Sequence, residues 1–364
     1  MPRDTKAKLP TLEQHVEAQA AAKFKETQEL ARKNRVVTSE LSKLQGEYRD
    51  VRRRLELYEE IESTPVKPPE WLIPKNPARE HTAIPTMLLT DIHWDEVIKP
   101  EQIDFINAYD RRIAAMRVKR AFERAIHVSR DYVSGVSYTG FSLALGGDIF
   151  SGLIHEELRE TNKATIIEGI ISVTPLLVAG VRLLADHFGR VDVEAVVGNH
   201  GRNSIKPKAK NRAQDNFDWL VYKLVQRELE GDKRISMRVS EAPDAHFQVH
   251  GTKYLLTHGD QFRGGSGISS VLAPLIMGAH RKTRRQAATR HPYDVMIMGH
   301  FHTSLWLPGW GVIVGGSVVG YSEYAYQQNL PPEQPQSDMW LNTPERGITI
   351  HCPVFLQDRK AEGW

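Results

Sequence analysis

Residues 298–304 read MGHFHTS, and Gly299 follows the apolar run YDVMIM of residues 293–298 directly. A strand that ends in Gly-His-x-His sets two imidazoles on one side of a turn, because alternate residues share a face. Taken alone, the pair Gly299-His300-Phe301-His302 is as compatible with a polar turn as with half of a metal site. The rest of the chain has to decide.

Four more clusters of the same kind stand at the carboxyl ends of predicted strands. They are Asp91-Ile92-His93 after TMLLT, Gly147-Asp148 after FSLAL, Gly198-Asn199-His200 after VDVEAVV, and His258-Gly259-Asp260 after KYLLT. Open α/β sheets build their sites where loops leave the carboxyl ends of strands. Asp, Asn and Gly at one strand end are ordinary turn chemistry, but histidine is not a turn residue. Imidazole and carboxylate donors with an amide oxygen suit first-row divalent ions such as Mn, Fe or Zn. With a single cysteine, Cys352, a thiolate zinc site and an internal disulfide are both excluded.

Between Thr86 and the C-terminus, apolar runs alternate with helical stretches at residues 101–134, 163–187, 214–230 and 268–285. DAHFQVHG and KYLLTHGD read as adjacent strands, and GWGVIVGGSVV as another. This alternation predicts a mixed sheet system with helices outside. The most apolar window, Ile166–Ala185, is interrupted by Glu168, Pro175 and Arg182 and reads as a buried helix, so no membrane association is expected.

The ordered set D-x-H, GD, GNH, H and GHxH resembles the calcineurin-like metallophosphoesterase superfamily over residues 86–315. The resemblance implies a four-layer α/β/β/α sandwich with two divalent metal ions, Mn foremost with Fe or Zn as alternatives. Carried over by position, one ion is held by Asp91, His93, Asp148 and His302. The other is held by Asp148, Asn199, His258 and His300, with Asp148 bridging. The implied chemistry is attack on a phosphoester by hydroxide held between the ions, with His200 as general acid. Two departures stand out: Gly201 follows GNH where the family often has an acid, and Ser151 stands where a carboxylate would orient His200. Either another carboxylate substitutes, with Glu156 and Glu157 nearest, or His200 plays a smaller role. The second motif also lacks the arginine typical of Ser/Thr protein phosphatases.

Two basic runs are expected to flank the centre. GRNSIKPKAKNR, residues 201–212, carries Arg202, Lys206, Lys208, Lys210 and Arg212 without an acid, and RKTRRQAATR, residues 281–290, adds five more. With a net charge of only +3, a polyanion partner rests on such local patches. They favour a nucleic acid substrate, similar to the SbcD-like nuclease branch, with His155 as a further substrate contact. The alternatives are a phosphomonoesterase acting on a small substrate and a metal-binding scaffold with little activity. The glycine-rich loop 258–267 lacks the phosphate-loop pattern.

Residues 1–62 form a separate helical arm, coiled-coil-like and outside the resemblance. Thr11 and Gln14 fit a capping box, and Val37, Leu41, Leu44, Tyr48, Val51, Leu55 and Tyr58 step by four and three residues. Self-association, a protein partner along residues 37–58 and a fold-back on the catalytic domain all fit that seam. Six prolines mark residues 63–85 as an extended linker, leaving residues 86–364 as the catalytic domain. The N-terminal MPRDTKAKLPTLEQ has no apolar core of a secretory signal, so a cytoplasmic location is expected. The layout of appended helix, linker and compact domain is also similar to phosphoesterases encoded by bacteriophages.

Overall fold

The computed structural model describes residues 12–63, 81–262 and 272–364. The chain divides into two units, one ending at Lys67 and the other starting at Pro68. In the first, α1 (Leu12–Ser63) is one continuous helix. Thr11 of the expected capping box and most of the Pro-rich stretch lie outside the described residues.

The second unit contains, in chain order, β1 (His81–Leu89), α2 (Arg111–His127), β2 (Val136–Tyr138), β3 (Phe141–Leu145), α3 (Glu156–Thr161), α4 (Ile166–Phe188), β4 (Val191–Ala195), α5 (Phe217–Leu229) and β5 (Ile235–Val239). There follow β6 (Asp244–Val249), β7 (Thr252–Thr257), α6 (Leu272–Ala288), β8 (Val295–Met298), β9 (Leu305–Leu307), β10 (Val312–Val314), α7 (Glu323–Gln327), β11 (Gln336–Thr343), β12 (Gly347–Phe355) and α8 (Arg359–Glu362). One sheet runs β12-β11-β1-β3-β4-β5 with β2 beside β1, and the other runs β6-β7-β8-β10-β9.

Side-chain alternation builds the layers. Met87 and Leu89 of β1, Leu143 and Leu145 of β3 and Val191 and Val193 of β4 pack under α2, α4 and α5. Their neighbours Ile84, Leu88 and Ala144 point the other way, onto Phe247, Tyr254, Leu256, Ile297 and Ile313 of the second sheet. That sheet's outer residues, Leu255, Met296, Met298 and Val314, receive Leu275 and Ala279 of α6. The result is the expected α/β/β/α sandwich. Strands buried on both faces read as continuous apolar runs, which is why β1, β3, β4 and β8 were visible in the sequence.

The departures have local causes. The strand β1 opens at His81, inside the segment expected to be linker. Pro85 fits there because the β2 ladder ends at Ala83 and the β3 ladder starts at Thr86, so neither asks it for an N–H. The helix expected over 101–134 begins only at Arg111, where the Asp110 side chain accepts the Ile113 N–H at 2.7 Å. The antiparallel pair β11–β12, which extends the first sheet beyond β1, was not anticipated. The helix α4 is long and apolar enough to cross a membrane. It opens with a Thr165/Glu168 capping box and buries Ile170, Val173, Leu177, Val181 and Leu184 in the core.

One buried cation ties this scaffold to the loop after β10. The fully buried Arg117 of α2 donates to Glu362, Asn107 and the carbonyls of Ala108, Val318 and Val319, at 2.9–3.2 Å. Removing it leaves Glu362 and three carbonyls short of a donor. Arg117→Met is therefore expected to destabilise the protein by about 3–5 kcal/mol, read as a fall in the denaturant midpoint.

Candidate metal centre

The five clusters leave the carboxyl ends of β1, β3, β4, β7 and β8, and the sandwich brings them together. The turns that carry them are strained. Asp91, His93, Asp148, His300 and His302 all have positive φ, between 49° and 70°. Such conformations cost on the order of 1–3 kcal/mol each in non-glycine residues and persist only where the surroundings enforce them. Here the backbone does so. Asp91 N–H donates to the Gly147 carbonyl at 3.1 Å and His93 N–H to the Asp148 carbonyl at 3.0 Å, while Val318 and Val319 both donate to the Asp91 carbonyl. Two motif glycines permit the approach. A Cβ on Gly198 would stand 2.0 Å from Asp148 Oδ1, and one on Gly299 would stand 2.3 Å from Asp91 Oδ2.

Three sets of side chains converge, each with donor atoms within 4.8 Å of one another: Asp91, His93 and His302; His93, Asp148 and His200; and Asp148, His258 and His300. Asp148 and His93 are shared between sets. His258 Nε2 lies 2.9 Å from Asp148 Oδ2 and 3.1 Å from Asn199 Oδ1, so Asn199 joins the third set. The seven expected ligands thus meet in one place. Their spare atoms fit divalent cations. Asp91 Oδ1 and His93 Nε2 are buried without a hydrogen-bond partner, and the donors are hard oxygens and imidazole nitrogens.

Burial and charge pull the titrations apart. Burial disfavours the Asp91 carboxylate, yet the adjoining His302 and His258 outweigh it and hold the group at about 2. Burial likewise opposes charge on His93 and His258, but Glu96 raises the first to about 9 and Asp148 raises the second to about 10. Burial dominates at His200 and His300, each lowered to about 4. The carboxylates of Asp91, Asp148 and Glu96 are all held below their ordinary range, so the pocket concentrates negative charge that favours a cation.

Three supporting residues escaped the sequence reading. Asp218, raised to about 6 by burial and by Asp148, accepts the N–H groups of Asp148, Ile149 and Gly198 at 2.9–3.2 Å and so joins two of the turns. Thr90 donates to Asp91 Oδ2 at 2.7 Å. Glu96 Oε2 lies 2.9 Å from His93 Nδ1, which leaves Nε2 for the centre. None of these lies in a recognisable motif. An acid three residues after His93 is the sole sequence signal for Glu96.

His200 is oriented differently from the expectation. Its Nδ1 lies 2.7 Å from the backbone carbonyl of Ser151, and its own N–H donates to Asp148 Oδ1 at 2.7 Å. Glu156 and Glu157, the carboxylates expected to substitute, are exposed in α3, and the Ser151 carbonyl does the orienting. His155 stands beside His200, with ring centroids 5.7 Å apart.

The basic runs divide. Lys206, Lys208 and Lys210 are exposed, with Lys208 3.7 Å from Asp215. Arg202 bonds the Ser204 and Ile205 carbonyls of its own loop, and Arg212 pairs with Asp260 at 2.6 Å. In α6, Lys282 is buried against Asp244 and Gln261, and Arg285 also pairs with Asp244. Half of the cations expected to meet substrate are thus engaged inside the protein, or nearly so.

The fold is a sandwich of two β-sheets with helices on both outer faces. No family model and no curated protein matches the chain. Among solved structures, it is similar to a dimetal phosphatase from Danio rerio at 13% identity and a TM-score of 0.32, over 75% of this chain and 99% of that one. Vps29 with zinc from Entamoeba histolytica gives 13% and 0.30, over 74% and 99%. A predicted phosphoesterase from Streptococcus pneumoniae gives 12% and 0.27, over 74% and 98%. None of the three is from a bacteriophage. The chemistry of the centre therefore rests on its own side chains.

If Glu96 fixes the His93 ring for a cation, Glu96→Gln should weaken binding without abolishing it. The expected loss is about 10–100-fold in Mn or Zn affinity, measured by calorimetric titration of the metal-free protein.

Proposed function

We propose that the protein is a two-metal phosphoesterase that cleaves phosphodiester bonds in nucleic acid. The convergence of three His/Asp sets, linked through the shared His93 and Asp148, carries the hydrolase reading. In this reading Asp91, His93, Asp148 and His302 hold one divalent cation, and Asp148, Asn199, His258 and His300 hold the other. Bound there, such a pair supplies Lewis-acid neutralisation of the phosphate and acidifies water near neutral pH.

The chain's own part is positioning and proton transfer. Asp148 stays charged because the His258 imidazole and the His200 backbone N–H both face it. The Ser151 carbonyl fixes the proton of His200 on Nδ1, so Nε2 is the atom that exchanges a proton with substrate. Held near 4 by burial, His200 is neutral before substrate arrives. An incoming phosphate anion favours the imidazolium, which can then protonate the leaving oxygen. Substrate contact falls to Lys206, Lys208 and Lys210, exposed in the loop that follows His200, with His155 beside the ring. Counterion release at each backbone phosphate favours such a lysine track.

The deciding substrate is DNA labelled at its 5′-phosphate and at one internal phosphate, given to the Mn-loaded protein. Release of internal label, lost in Asp91→Asn, is expected. Release of terminal phosphate alone would make the protein a phosphomonoesterase, a reading favoured by the internal pairing of Arg212, Lys282 and Arg285. His200→Ala should keep full metal stoichiometry and lose about 10²–10⁴-fold in kcat, as expected for a general acid. An unchanged rate would remove His200 from that role.

A further inference from the structure

We propose that α1 is one strand of a parallel, in-register, two-stranded coiled coil whose other strand is a second copy of this chain. The seam begins earlier than Val37. Leu30, Val37, Leu44, Val51 and Tyr58 fall on one heptad position, d, and Asn34, Leu41, Tyr48 and Leu55 on the other, a. A 3.5-residue repeat is that of a left-handed supercoil, not of a helix lying on a globular surface at a 3.6 period. Leu30, Val37, Leu41, Leu44 and Tyr48 are each more than half exposed. A helix is held chiefly by packing of its apolar stripe, so a row of this length implies a covering strand.

Two features choose the occupant. The first is Asn34, at position a inside an otherwise apolar or aromatic seam and exposed in α1. In a parallel in-register pair, Asn34 meets Asn34, and each amide has both a donor and an acceptor for the other. An antiparallel pair centred on Leu44 would instead set Asn34 near Leu55, burying a polar group without a partner. The second is charge. In the parallel pair, each g position faces the e position five residues later on the other chain. Glu47 then faces Arg52 and Arg54 faces Glu59, while Glu40 meets Gln45 and Lys33 meets Thr38. No like charges meet at any of the four. Gly46 falls at f, on the outside, with open space around it, so it costs the seam nothing in packing.

Sedimentation equilibrium of the full-length protein at micromolar concentration tests this. Twice the mass of one chain is expected, and the mass of one chain for Leu41→Glu/Leu44→Glu. Glu47→Arg should loosen the dimer roughly threefold to tenfold, and Glu47→Arg/Arg52→Glu should restore it. That recovery distinguishes a lost contact from a helix that merely fails to form. Orientation is read from Val37→Cys in a Cys352→Ser background. Oxidation should link the two copies, because an antiparallel pair centred on Leu44 would hold these sulfurs about 21 Å apart. The proposal is overturned by a single-chain mass throughout or by a dimer that survives Leu41→Glu/Leu44→Glu. It is also overturned by an intact dimer in which Val37→Cys does not cross-link.

Discussion

A carboxylate buried where five strands end is the constraint on which this centre depends. Asp148 is almost wholly shielded from water, so its charge has to be met at short range by groups that other strands deliver. His258 comes from the end of β7, and the His200 N–H from the end of β4. The backbone N–H of Asp148 is in turn held by Asp218 from α5. Each element therefore has to be in register for this one acid to be tolerated. The two sheets cannot slide past one another without leaving an unpaired charge, and the site's geometry becomes a condition of the fold.

The left-handed turns belong to the same constraint. Asp91, His93 and Asp148 aim their side chains inward only because the chain reverses sharply after β1 and β3, and each reversal carries a conformational cost. The backbone bonds among Asp91, His93, Gly147 and Asp148 offset that cost locally. Arg117 extends the support outward, because the carbonyls it holds belong to Val318 and Val319, whose N–H groups grip Asp91. A cation on α2 thus reaches the centre through one loop and two amides.

What the sequence could disclose follows from which interactions have a letter. Metal-type donors at strand ends need particular side chains, so Asp91, His93, Asp148, Asn199, His258, His300 and His302 stood out, and the structure brings them together. Buried parallel strands need apolar runs, so the sandwich was legible as well. A backbone carbonyl has no letter, and any residue at position 151 presents one. The partner of His200 was for that reason invisible, and Glu156 and Glu157 were reasonable but mistaken substitutes. The division of the second basic run was hidden for a related reason. A run of charge reads as uniform, whereas a helix turns every third or fourth residue inward, and Lys282 faces Asp244 while Arg281 and Arg284 face solvent.

The carbonyl at Ser151 also changes the proton inventory. A carboxylate in its place would stabilise the imidazolium and raise His200, as Glu96 raises His93 to about 9. A carbonyl fixes the same tautomer with a dipole only, and burial then keeps the ring neutral at about 4. With Asp91, Asp148 and Glu96 already present, a fourth carboxylate beside His200 would lock a proton onto the ring whether or not substrate was bound. Under the proposed function, the neutral arrangement leaves the proton's arrival to the charge of the incoming phosphate. In the proposed reaction His200 is then charged when an anion lies beside it, which is the moment at which a leaving oxygen has to be protonated.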